Sequence, residues 1–212
     1  MRTALVLGAA ATLGGLAALA GAVTRRVHPA EARLAETAHR FGTANPGWVS
    51  GMRTLTRAGD HWVGLICGGG TAIALLCTRD WGRATAVGLA TAAPNVAIVL
   101  RRVIERERPA GRLVDSTDNS FPSGHVTTAT SSALVLGVAL WPHLGTNGRR
   151  ALVATGATTV AVVGVSRLSL AAHWPTDVLG GVLLASGSAL LAGAATHPWW
   201  RALTPATEKA NA

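Results

Sequence analysis

Residues 166–181 read SRLSLAAHWPTDVLGG, and within them Ser166-Arg167, His173 and Asp177 form one polar cluster beside apolar sequence. Residues four apart share a helix face, so Asp177 can bond one ring nitrogen of His173 and leave the other as a nucleophile or base. Pro175 suits the first turn of a helix, where its missing N–H costs nothing, and this puts His173 at the mouth of a helix. The competing reading is an interfacial histidine with a helix-capping aspartate. A second cluster, DNSFPSGH, covers Asp118 to His125. Pro122, Ser123 and Gly124 describe a helix start, whose free N–H groups and positive dipole end favour anions. Ser123 adds a hydroxyl, and His125 falls in the first turn. Alone, this cluster is a helix cap. The third, RRVIERERP, runs from Arg101 to Pro109. Arg101 and Arg108 are two helical turns apart and are expected on nearly one face, able to converge on an anion. Arg102, Arg106 and Arg112 read instead as arginines reaching toward lipid head groups.

The elements that carry these clusters are apolar. The chain has 212 residues, 49% hydrophobic and 14% charged, against roughly 25% charged for an ordinary soluble domain; its mean hydropathy is +0.35. Six apolar runs stand out: Ala4–Val23, Trp62–Thr78, Ala84–Leu100, Val126–Trp141, Ala151–Val165 and Val178–Ala195. Most lie at or just below the lower limit of the roughly 17–25 residues that span a bilayer. Flanking Thr, Trp and Arg can extend them, and their many small residues permit close helix approach in lipid. The expected fold is all-α: a single polytopic membrane domain, 1–212, with six transmembrane helices in a bundle. Its parts are a retained first helix (1–23), a basic amphipathic loop (24–61), a five-helix catalytic core (62–197) and a polar tail (198–212).

Trp62, Trp81, Trp141, Trp174, Trp199 and Trp200 lie at run ends, where an aromatic belt would place them. Cys67 and Cys77 are ten residues apart in one run, cannot bridge on one helix, and read as buried small hydrophobes. Ala30–Phe41 carries Leu34, Ala38 and Phe41 at helical spacing with charges elsewhere, as an interfacial helix would, and Gly42–Gly47 is expected to break it. The formal net charge of +9 comes from arginines in short joints between apolar runs. That pattern forms no soluble basic face and sets a nucleic-acid partner aside.

Together the three clusters resemble the signature of the type 2 phosphatidic acid phosphatase family, which shares its core with the vanadium haloperoxidases. The matching residues are Arg101 with Arg108-Pro109, then Pro122-Ser123-Gly124-His125, then Ser166-Arg167, His173 and Asp177. The resemblance covers roughly residues 40 to 195. One position departs from the family: it usually has Lys where this chain has Arg101, so a planar fork replaces a compact point charge. A haloperoxidase is disfavoured, because those relatives are soluble.

The resemblance implies a metal-independent membrane lipid phosphatase without cofactor, acting on a polyprenyl diphosphate or a phosphatidic acid type of lipid. It implies that His173 attacks phosphorus to form a phosphohistidine, Asp177 holds its tautomer, and His125 protonates the leaving oxygen and then activates water. Arg101, Arg108, Arg167, Ser123 and the Gly124 amide would hold the non-bridging oxygens. Positioning and charge stabilisation are what phosphoryl transfer mainly needs, and no carboxylate cluster suited to magnesium accompanies the histidines. One histidine must be neutral and the other protonated, which predicts a bell-shaped pH profile. A lipid phosphotransferase using the same intermediate, and a non-catalytic lipid-phosphate binder or transporter, remain as alternatives. The partners expected are the bilayer and a membrane lipid phosphate. With six helices the three motifs fall on one membrane face, extracytoplasmic by resemblance. Charge counting opposes that face: it would carry twelve of the 19 Lys and Arg, against the positive-inside tendency.

Overall fold

The computed structural model describes residues 2–23 and 27–196, and every regular element among them is helical. In chain order these are α1 (Arg2–Val23), α2 (Pro29–Ala44), α3 (Pro46–Leu55), a 3-10 turn (Thr56–Gly59), α4 (His61–Cys77), α5 (Trp81–Thr91) and α6 (Ala93–Ile104). Then follow α7 (Gly124–Leu140), a 3-10 turn (Trp141–His143), α8 (Thr146–Ser169) and α9 (Pro175–Thr196). Prolines punctuate the order. Pro29, Pro46, Pro94 and Pro175 each stand in the first turn of a helix, where a fixed φ and a missing N–H are tolerated. Pro94 accordingly divides the third apolar run, expected as one helix, into α5 and α6 around Ala92.

Among the described residues, four helical stretches are long and apolar enough to cross a membrane: Pro46–Cys77, Trp81–Ile104, Thr146–Ser169 and Pro175–Thr196. The first and fourth of the six expected runs are not among these four. α1 is 22 residues long, with Val6–Gly21 as an apolar stretch among the described residues, and α7 has 17 residues, about 26 Å at 1.5 Å per residue against a hydrocarbon core of about 30 Å. The first half of α7 also carries Thr127, Thr128, Thr130, Ser131 and Ser132, all buried, which lowers its hydropathy while facing the protein interior. Within the expected loop 24–61, the interfacial helix expected over Ala30–Phe41 is present as α2, a second helix, α3, follows it, and the break between them is at Asn45 rather than across Gly42–Gly47. Leu34 and Phe41 are exposed on α2, and Phe41 meets the exposed Trp48 edge-on. The expectations for Trp199, Trp200 and the polar tail lie outside the described residues.

The bundle is built around α9, which packs on α1, α5, α6, α7 and α8. Gly8 faces Leu190 and Gly15 faces Leu183, so α1 and α9 run antiparallel and the end of α1 lies beside the start of α9. Small apolar clusters join the helices in turn. Leu16, Ala97, Phe121 and Leu184 connect α1, α6 and α9 to the loop before α7. Leu75, Ala84, Val87, Ala90 and Val135 connect α4, α5 and α7. Met52 closes α3 over Leu170 and Ala172 in the turn after α8. Two minor expectations change. Trp174 is buried, its indole N–H donating to the Glu107 carbonyl at 2.8 Å, so it belongs to the interior and not to an aromatic belt. Cys77 is exposed and Cys67 half-buried, because both lie on an outward-facing helix.

Candidate active site

The end of α6, the starts of α4, α7 and α9, and the end of α8 meet at one pole of the bundle. His173 stands between α8 and α9, after a turn in which Ala171 takes a left-handed φ of 47°. The Ala172 N–H donates to the Arg167 carbonyl at 3.0 Å, so Arg167 and His173 are tied by the shortest possible connection. The ring is 3% exposed. Arg108 Nη1 lies 3.0 Å from His173 Nε2. A guanidinium can only donate, so Nε2 holds the lone pair and the ring proton sits on Nδ1, 3.4 Å from Asp177 Oδ2. That contact is a long polar approach and not a directed hydrogen bond. Burial, with the Arg108 and Arg167 charges, pulls the His173 imidazole down to about 4 in spite of Asp177. The neutral form is thus the resting form.

Asp177 is fully buried in the first turn of α9. Its Oδ2 accepts the Trp174 N–H at 2.8 Å, the reciprocal cap typical of a helix start. Its Oδ1 accepts from Arg106 Nη1 at 2.5 Å. Arg106 was expected at the lipid surface with Arg102 and Arg112. Those two are exposed, but Arg106 is 5% exposed and reaches inward over the Trp174 ring. Its Nη2 donates to Glu31 Oε2 at 3.0 Å. Glu31, on α2, also accepts from the Thr176 N–H at 2.9 Å and its hydroxyl at 2.6 Å. Burial pushes the Glu31 carboxyl up, but the Thr176 bonds and Arg106 outweigh it and hold it below its ordinary value. The network Glu31–Arg106–Asp177 therefore fixes the carboxylate behind His173. Sequence reasoning missed both Arg106 and Glu31. Their one sequence signal was a charge beside apolar residues, which an interfacial helix shows equally well.

Arg101 and Arg108 do come together, although not on one helix face. The left-handed φ of 51° at Glu105 ends α6, and a residue before proline avoids helical geometry, so Arg108 arrives from an extended loop. Asp118 links the two arginines. Its Oδ1 accepts from Arg108 Nη2 at 2.6 Å, and its Oδ2 lies 2.8 Å from Arg101 Nε. Burial pushes this carboxyl up, but the Ser116 hydroxyl and the two arginines more than offset it and hold Asp118 below the ordinary carboxylate range. Arg108 Nη1 also donates to the Ala172 carbonyl at 2.8 Å.

Ser123 is the N-cap of α7, fully buried, and its hydroxyl has no partner among the described residues. A buried polar atom left open is costly unless something binds it. Gly124 follows. A Cβ there would stand 2.6 Å from Arg101 Nη1, so only glycine lets that guanidinium lie against the helix start. His125 is half-buried in the first turn, with Nε2 3.2 Å from Asp60 Oδ1. The Arg101, Arg108 and Arg167 guanidiniums all act on it electrostatically. Arg167 is 5% exposed and donates weakly to the Thr56 hydroxyl at 3.4 Å. The structure thus brings Arg101, Arg108, Ser123, Gly124, His125, Arg167, His173 and Asp177 to one pole. It adds Asp60, Thr56, Asp118, Arg106 and Glu31, which the motifs did not name. Among the described residues no three His, Cys, Asp or Glu side chains gather as a metal site. Three guanidiniums, an open hydroxyl and a helix N-terminus around a neutral imidazole can hold a tetrahedral anion and attack it.

Comparison with known proteins points the same way. Residues 70–201 match the family model described as the PAP2 superfamily. The chain is 35% identical over 144 residues to the decaprenylphosphoryl-5-phosphoribose phosphatase of Mycolicibacterium smegmatis, covering 64% of this chain and 72% of that one. It is 42% identical over 89 residues to phosphatidylglycerophosphatase B of Bacillus subtilis, covering 41% and 44% respectively. The crystal structure of a transmembrane PAP2 type phosphatidylglycerolphosphate phosphatase from Bacillus subtilis superimposes with a TM-score of 0.70 at 26% identity, over 87% of this chain and 93% of that one.

Proposed function

This chain belongs to the PAP2 superfamily and is a lipid phosphatase, and on that premise we propose that it hydrolyses a membrane-lipid phosphate through a phosphohistidine on His173. One observation carries the proposal: Nε2 of a buried neutral imidazole faces Arg108 while Nδ1 faces Asp177. In the first step Nε2 attacks phosphorus, and the bond from phosphorus to the lipid oxygen breaks. His125 gives that oxygen a proton. In the second step His125 takes a proton from water, the water oxygen attacks phosphorus, the N–P bond breaks, and phosphate leaves. Arg101, Arg108, Arg167, the Ser123 hydroxyl and the Gly124 N–H hold the three equatorial oxygens. The scheme uses no metal and no cofactor.

For the substrate we favour a phosphomonoester carried by a polyprenyl lipid, because the relative matched over most of its length acts on decaprenylphosphoryl-5-phosphoribose. Phosphatidylglycerophosphate and a polyprenyl diphosphate come next. Six crossings agree with the gathering of the motif-bearing helix ends at one pole, with the polar half of α7 buried among its neighbours, and the extracytoplasmic face for that pole rests on the family resemblance. The purified protein in detergent, with chelator present, is expected to release phosphate from at least one of these lipids. No release from any of them, or release only when divalent metal is restored, would overturn the scheme.

The pH profile tests the nucleophile. A histidine held at about 4 is neutral at any higher pH, and its nucleophilic fraction is lost only as pH falls through that value. The acid limb of kcat/KM is expected near pH 4 once the substrate's own second ionisation, about 6, is divided out. An acid limb near the ordinary histidine value of 6.5 would contradict the burial argument.

A further inference from the structure

The second histidine of the scheme has a carboxylate partner that none of the three motifs contains, and it lies ahead of the matched residues 70–201. Asp60 ends the 3-10 turn Thr56–Gly59 and caps α4, yet its side chain makes no capping bond to that helix. Its Oδ1 lies 3.2 Å from His125 Nε2, and its Oδ2 accepts the Trp62 indole N–H at 3.1 Å. The turn before it is pressed into the site. A Cβ on Gly59 would stand 2.6 Å from the His125 carbonyl oxygen and 2.9 Å from Val163. Thr56, 7% exposed, accepts from Arg167.

The charges around His125 make that carboxylate necessary. From α6 comes Arg101, from the loop Arg108 and from α8 Arg167, while His173 beside them is neutral. An imidazolium in such company is repelled on every side. Asp118, the other carboxylate nearby, is already paired with Arg101 and Arg108. The carboxylate in contact with His125 is that of Asp60.

We propose that the turn from Thr56 to Asp60 is a fourth part of the catalytic site, in which Asp60 is the positioning residue that orients His125 and sustains its protonated form. The inference rests on the phosphatase reading above. With Nε2 held by Asp60, Nδ1 is the nitrogen that exchanges a proton with the leaving oxygen and then with water. Asp60 keeps its own charge throughout, and the proton count of the two steps is unchanged. Gly59 lets the turn approach closely enough, and Thr56 steadies Arg167 from the same turn.

Asp60→Asn in the full-length protein tests this, because it keeps the shape and the indole's acceptor while removing the charge. A carboxylate beside an imidazole raises its pKa by about one unit or more. Losing it should move the alkaline limb of kcat downward by about that much, since His125 would give up its proton at lower pH. With an alkyl lipid phosphate, whose leaving oxygen needs a proton, kcat should fall about ten- to hundred-fold with KM little changed. With p-nitrophenyl phosphate, whose leaving group needs none, the first nitrophenolate-releasing turnover should stay within about threefold. Asp60→Glu should recover part of the lipid rate and the alkaline limb.

An active wild type whose Asp60→Asn variant keeps both the limb and the lipid rate would overturn the inference while leaving the phosphatase reading intact. Equal loss on both substrates, with a lowered melting temperature, would overturn it too by making Asp60 merely structural. A wild type that releases no phosphate from any lipid would remove both readings together.

Discussion

His173→Ala is expected to release lipid phosphate more slowly than wild type by a factor on the order of 10⁴ to 10⁶, the scale on which deleting a covalent nucleophile acts. The side chain is buried and its volume is modest, so the variant should fold and still bind phosphate on Arg101, Arg108, Arg167 and the α7 start. The two losses can be separated. Inorganic phosphate should protect variant and wild type alike against thermal unfolding, whereas acid-labile phosphate on the quenched protein should appear with wild type alone. A variant retaining a tenth of the wild-type rate would show that phosphorus is attacked by something else, and water activated by His125 would become the leading candidate.

The second large effect concerns a residue that touches no substrate. Arg106 bridges Asp177 and Glu31, at 2.5 and 3.0 Å, with all three side chains nearly or wholly buried. Removing one partner of such a network leaves uncompensated charge in the interior, at a cost of about 3–5 kcal/mol. Arg106→Ala leaves two carboxylates facing each other, one of them the group behind His173. Thermal unfolding in detergent should drop sharply, and any folded fraction should have a depressed kcat because Asp177 is free to turn from Nδ1. Arg106→Lys should recover little, since a point charge cannot serve Asp177, Thr176 and Glu31 together as a planar fork does. Wild-type stability and kcat in Arg106→Ala would show that the network is not needed.

These two residues mark what the sequence discloses and what it hides. His173 with Asp177, and Ser123 with His125, are legible because each pair lies at one helix start: a helix start gathers residues within a few positions of one another, and spacing encodes that. The long apolar runs announce helices for the same reason. Arg106 meets Glu31 across 75 positions, and no local pattern separates that buried arginine from Arg102 or Arg112, which stay at the surface. Asp60 and His125 are brought together only by the packing of α4 and the turn Thr56–Gly59 on α7. Arg101 and Arg108 show a third case. Their convergence was foreseen, but through helical spacing, whereas the chain achieves it by ending α6 at Glu105 and folding the loop back. The composition of α7 misleads in the opposite direction, since its Thr and Ser residues lower its apolar character because they face inward.

The position of Asp118 has a consequence for how any anion enters. Arg101 and Arg108 already share one carboxylate that is half exposed, at 49%, and offsets one of their two charges. The pole therefore behaves like an ion-exchange resin in its resting salt form. A phosphoryl group does not simply add to two bare cations; it trades places with a tethered counter-ion, and its affinity is the difference between two sets of ion pairs. Such an exchanger ranks its guests by charge density. It passes over carboxylates, which offer no more than Asp118 does, and selects a dianion with three oxygens that can span Arg101, Arg108 and Arg167 at once.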